Sequence, residues 1–195
     1  MDRLLLKQTT TALWQSLVSE AAESVEHSLD EDRESYLVFL LMRFANRPDM
    51  AASILALDYL ESSLSTGKEQ HDKLRDVGDQ CLLYSGLFPQ RAERRRVKLS
   101  YYVELGRSAY YQLSDKLGNA IEGSMGTMYA DLCKHFVSLM DVLQAMRELG
   151  SGRACLEPLQ AIELFHDTGS RSAARSLRAV TDDAALFIQN TRFKH

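Results

Sequence analysis

Residues 131–150 read DLCKHFVSLMDVLQAMRELG. Leu132, Phe136, Leu139, Leu143 and Met146 recur at spacings of four, three, four and three. That repeat puts five large apolar side chains on one stripe of an α-helix. Gly150-Ser-Gly152 ends the pattern and reads as a joint.

The same period extends outward in both directions. Downstream, Pro158 opens a helix with Leu159, Ile162 and Phe165 on one face, and Thr168-Gly169 stops it. Ser170 is the expected cap of a last helix carrying Ala173, Leu177 and Val180. Upstream, Gly118 to Gly126 reads as a loop. Before it lies a helix with Tyr102, Gly106, Ala109 and Leu113 inward and Ser100 as its expected N-cap. Gly106 weakens a helix interior by about 1 kcal/mol against alanine, a loss that a close-packed neighbour would offset.

Further upstream, Leu74, Val77, Cys81, Tyr84 and Phe88 mark another helix, closed near Ser85-Gly86 and Pro89. Ile54, Leu57, Leu60 and Leu64 line one that begins near Pro48 and ends near Gly67. Residues 36–42, YLVFLLM, are apolar on every side, behind Asp30, Glu31, Asp32 and Glu34, which suit a positive helix N-terminus. Leu13, Leu17, Ala21 and Val25 give a first helix over about 4–28.

These readings predict an all-α, single-domain bundle of seven to eight helices with no sheet, built around the 31–46 and 132–146 helices. Residues 1–150 form the main bundle. Residues 151–195, too few to fold well alone, dock on it as a helical pair.

Composition narrows the class. The 195 residues are 45% hydrophobic and 26% charged, ordinary for a globular domain. Cys81, Cys133 and Cys155 are odd in number and form no CxxC, which suits reduced thiols and argues against a cysteine-built metal centre. No apolar run is long enough to span a bilayer or to read as a signal peptide. The expected location is the cytoplasm, with no membrane contact.

Charge is uneven. The chain carries −4 overall, with 8 basic and 15 acidic residues in 1–80, but 15 basic and 12 acidic in 81–195. The densest basic run lies in residues 85–113, SGLFPQRAERRRVKLSYYVELGRSAYYQL. It sets Arg91, Arg94, Arg95, Arg96 and Lys98 beside Tyr101, Tyr102, Tyr110 and Tyr111. Like charges repel, and arginine with tyrosine is the composition of interface hot spots. Arg91, Arg94, Arg95, Lys98, Tyr101 and Tyr111 are therefore the candidate partner-binding residues. The plain reading is a solvated basic turn answering the acidic first half of the chain.

Arg171, Arg175 and Arg178 form a second basic face, at spacings of four and three, behind a short turn. The outline is that of a helix–turn–helix, although any all-α protein contains such turns. The acidic pI of about 5.7 disfavours nucleic acid as a partner. Glu163-x-x-His166 occurs once, where a di-iron bundle needs it twice. Asp131 and His135 make a second weak pair, and Cys133 and His135 point apart on a helix. No metal, cofactor or catalytic residue is expected.

The 85–113 segment resembles one shared by uncharacterised bacterial proteins of similar size, with an SGxFPxR turn before a YYxxxGxSAY helix. The matching positions are Ser85, Gly86, Phe88, Pro89, Arg91, Tyr101, Tyr102, Gly106, Ser108, Ala109 and Tyr110. The resemblance implies a bacterial source and a helical fold, with no activity attached. The expected function is a non-catalytic interaction or regulatory protein that engages a protein partner, or a second copy as a homodimer, through this surface. The alternatives are a bundle holding an apolar or iron-containing ligand in a pocket, and a nucleic-acid regulator using Arg171, Arg175 and Arg178.

Overall fold

The computed structural model of the chain describes residues 10–47, 55–94, 97–118 and 123–192, and not the side chains of 55–57, 91, 93, 123–124 and 182–192. Every element among the described residues is a helix. In chain order they are α1 (Thr10–Ser24), α2 (Glu31–Asn46), α3 (Leu55–Leu64), α4 (Gly67–Gly86) and α5 (Pro89–Arg94). Then come α6 (Leu99–Gly118), α7 (Gly123–Lys134), α8 (Phe136–Ser151), α9 (Pro158–Thr168) and α10 (Arg171–Arg192). Pro48, Ile54, Arg95, Arg96 and residues 119–122 lie outside the described residues, as do the side chains of Leu57 and Arg91.

Among the described residues, ten helical segments stand where seven to eight helices are expected. One extra is the short α5. The other arises because the 131–150 stripe runs through a bend at His135, whose φ of −99° and ψ of 14° leave the helical region. The helix there also starts at Gly123, inside the stretch expected to be a loop.

Local chemistry sets the ends. Asp30 caps α2 by accepting the Arg33 N–H at 2.9 Å. The Arg33 guanidinium and backbone N–H together hold the Asp30 carboxyl below its ordinary range. Gly152 (φ 64°) and Gly169 (φ 70°) close α8 and α9 in the left-handed region that glycine enters without strain. Ser170 caps α10, its Oγ accepting the Ala173 N–H at 3.0 Å. Ser100 is no cap. The helix starts at Leu99, and the Ser100 hydroxyl instead donates to Asp167 at 2.8 Å.

The core lies around α4, which touches α3, α5, α6 and α8. Every residue from Val77 to Gly86 is buried. Gly106 of α6 lies under the Phe136 ring, where a Cβ would come within 2.5 Å of that ring. Gly78 of α4 likewise admits the Tyr110 ring, 2.3 Å from where its Cβ would be. The stripes of α4, α6 and α8 face inward as their sequence implies, down to Phe136, Leu139 and Leu143.

Other faces differ from expectation. The 31–46 helix is not central, since Phe39 is 64% exposed. A run of consecutive apolar residues on a helix must point some of them outward when only one side has neighbours. On α1 the buried residues are Val18, Ala21 and Ala22, while Leu13 and Leu17 look outward. Leu60 and Leu64 of α3 are exposed, and so are Leu159, Ile162 and Phe165 of α9. In α9 the inward residues are Ala161 and Leu164. That helix rests on α6 and α10, and α10 also rests on α8. No helix among the described residues is long and apolar enough to cross a membrane.

Candidate functional site

Three small events in the sequence build an open groove. Gly86 ends α4 and Pro89 starts α5, so the chain turns over Leu87 and Phe88. The Phe88 ring tucks against Phe44 of α2, centroids 5.4 Å apart. The two rings, with Leu41 and Leu87, make an apolar floor. Trp14 and Leu17 of α1 form one wall, Met146 and Leu149 at the end of α8 the other. The groove encloses about 710 Å³.

Its polar groups are few. The Arg147 guanidinium donates from Nη1 to the Leu87 carbonyl at 2.5 Å, a cation answering the negative end of α4. The Gln90 amide donates to the Cys155 carbonyl at 3.2 Å. Glu20 ends the α1 wall. Arg94, the last residue of α5, is exposed at the rim, and no ion pair to it is present among the described residues.

The four predicted partner-binding residues whose side chains are described, Arg94, Lys98, Tyr101 and Tyr111, lie in different places. Arg94 belongs to the groove. Lys98 lies in a separate depression against α9 and pairs with Glu163 at 3.5 Å. Tyr101 packs its ring on Tyr102, centroids 5.5 Å apart. Tyr111 is 66% exposed, ten residues or about 15 Å further along α6. It lines a third depression with Tyr59, Arg107 and Cys133.

The second basic face is largely engaged. Arg171 Nη1 donates to the Glu26 carbonyl at 2.6 Å. Arg175 Nη1 donates to the Ser24 carbonyl at 2.9 Å, and its Nη2 pairs with Glu148. Two of the three arginines thus cap the C-terminal end of α1, where cations are stabilising. Arg178 is exposed.

Asp141 anchors the same corner from inside. It is buried, accepts the Ser170 hydroxyl at 2.5 Å and the Arg171 N–H at 2.9 Å, and meets His27 Nε2 at 3.0 Å. The carboxylate stands between serine and histidine. A hydrolytic triad needs the histidine in the middle, so this arrangement holds the start of α10 rather than activating Ser170.

A second buried carboxylate, Asp79, accepts hydroxyls from Tyr36 at 2.5 Å and Tyr110 at 2.6 Å, and pairs with Arg43. Burial pushes both phenols far above their ordinary range, so both stay protonated and donate. The cluster satisfies its own charge and ties α2, α4 and α6 together.

Burial also pushes the Cys155 thiol up to about 12 and the Cys81 thiol well above its usual range, so neither offers a thiolate at neutral pH. Among the described residues no three His, Cys, Asp or Glu side chains gather to hold a metal ion. Glu163 and His166 turn to Lys98 and Asp167 respectively. Asp131 and His135 meet at 3.4 Å.

The groove is not legible in the sequence because its residues come from four helices and the turn between α4 and α5. One signal was available. Trp14, the only tryptophan, sits beside Leu13 and Leu17, next to the face that a stripe through Ala21 and Val25 would bury. No family model, curated protein or solved structure matches the chain.

Proposed function

We propose that this protein is a non-catalytic binding protein whose working surface is the groove between α1, α2 and the ends of α4 and α8. One observation carries the reading: an open apolar cleft of 710 Å³ with Trp14, Phe44 and Phe88 in it and Arg94 at its lip. Concave apolar sites with a few placed polar groups are where ligands bind. Arg94 of the basic run lines the same groove, which keeps the sequence-based expectation of an interaction surface in this segment while moving its centre from the tyrosines to the groove. Nucleic-acid binding through α10 is the weaker reading, because Arg171 and Arg175 already serve the α1 carbonyls.

Trp14 supplies the test. Because it is the only tryptophan, emission excited beyond the tyrosine absorption band comes from Trp14 in the groove. Titration with anilinonaphthalene sulfonate, an apolar anionic dye, is expected to quench Trp14 saturably by energy transfer. Leu17→Lys, at a half-exposed wall position, is expected to abolish the quenching while leaving the melting curve in place. Quenching that survives Leu17→Lys would sink the proposal.

A further inference from the structure

We infer that α1 is a helix of two halves, and that residues 10–17 are a yielding wall of the groove, unwinding and rewinding while the second half stays fixed. The motion follows from packing. Its use rests on the groove being a binding site.

Burial divides the helix. Residues 10–17 hold no buried side chain. Leu13 and Leu17 are 49% and 45% exposed, and Trp14 is partly buried against the core. Thr11 Oγ1 reaches the Met42 sulfur at 3.7 Å, a weak and exposed contact. Residues 18–25, by contrast, bury Val18, Ala21, Ala22 and Val25. The end of this half is also tied to the rest of the fold. The Glu26 carbonyl accepts from Arg171 at 2.6 Å, the Ser24 carbonyl accepts from Arg175 at 2.9 Å, and His27 Nε2 meets buried Asp141 at 3.0 Å. Local opening begins where few apolar side chains are buried and backbone hydrogen bonds face solvent. For α1 that is the N-terminal half.

This half carries the groove wall. Trp14 and Leu17 line the cleft with Leu41, Phe44 and Phe88. Unwinding residues 10–17 withdraws both wall side chains and widens access to the floor. Rewinding closes them on an occupant. An occupant that touches the wall stabilises the wound form by mass action, whatever its class.

Amide hydrogen exchange in the full chain, read residue by residue by NMR, tests the wall. Each helical N–H bonds the carbonyl four residues back. Unwinding 10–17 therefore frees the amides of 14–21 in one step and leaves those of 22–24, whose acceptors lie in 18–20. The expected pattern is one common protection factor over 14–21, about tenfold or more below that of 22–24. A smooth rise from 14 to 24 would be ordinary fraying of a helix end and overturns the wall. The second measurement adds anilinonaphthalene sulfonate at about ten times its Kd, with Trp14 quenching as the sign that it is bound. Protection of 14–21 is expected to rise about tenfold, with 22–24 unchanged. Quenching without added protection overturns the yielding wall and leaves the groove as a rigid site. No quenching removes the groove reading, and the wall's role with it.

Discussion

Two arginine clusters look alike in the sequence and behave differently in the fold. Arg171 and Arg175 stand one turn apart on α10 and spend their guanidiniums on the carbonyls of Glu26 and Ser24. Arg94 ends a short helix at the mouth of an apolar groove, with no ion pair among the described residues. The difference lies in what each helix packs against. The end of α1 presents unsatisfied carbonyls and Glu148 stands nearby, so any cation placed there is captured. The groove presents aromatic rings, which leave a cation at the rim for something else. A count of basic residues cannot separate a structural cap from a recognition element. The neighbour does.

The strongest way to break this comparison is to remove the anchor of the captured cluster. Asp141→Ala leaves the Ser170 hydroxyl and the Arg171 N–H buried without their acceptor. The expected loss is about 3 kcal/mol. For a domain of this size that lowers Tm by about 6–12 °C, read by thermal unfolding. A shift under about 2 °C would mean that the corner contributes little and that α10 is held elsewhere. Next comes Arg175→Ala, which removes one carbonyl cap and the Glu148 pair. Because the side chain is about 39% exposed, screening discounts the pair and the expected loss is about 1 kcal/mol. Part of that difference should vanish in high salt. If Arg175→Ala left stability untouched, the two clusters would no longer differ in kind.

Arg94→Glu should reverse the pattern. Stability is expected to stay within about 0.5 kcal/mol, as for surface changes away from structural features. Anilinonaphthalene sulfonate, whose sulfonate is expected to sit by the rim cation, should bind several-fold more weakly, read by Trp14 quenching. A large drop in Tm with unchanged dye binding would make Arg94 one more structural cation.

The sequence announced the fold wherever large apolar residues recur on a face that is buried from several sides. Leu132, Phe136, Leu139 and Leu143 are the clearest example, and Tyr102, Gly106, Ala109 and Leu113 another. It misled where small or polar residues do the burying. The most buried stretch, 77–86, holds Gly78, Asp79, Gln80, Ser85 and Gly86, which hydropathy discounts and close packing requires. It misled again where an apolar face has no neighbour, as with Leu159, Ile162 and Phe165. Periodicity shows that a face is apolar without showing what covers it. The site was half legible. Arg94 stood out by charge, but the groove joins Trp14, Phe44, Phe88 and Met146 across more than 130 positions, and no local pattern encodes that meeting.

The smallest expected effect sharpens the comparison most finely. Lys98 belongs to the first cluster by sequence and to neither cluster by geometry. Its ammonium lies 3.5 Å from Glu163, and it is 58% exposed. Exposed pairs of this kind contribute about 0–1 kcal/mol. Lys98→Ala should therefore shift Tm by no more than about 4 °C. It should also leave dye quenching of Trp14 unchanged, because Lys98 lines the depression against α9 and not the groove. If it weakened binding as much as Arg94→Glu, the working unit would be the charge of the whole 91–98 run acting at a distance. High salt would then erase both effects alike. If only Arg94 matters, recognition is local, and the boundary of the site falls between α5 and α6.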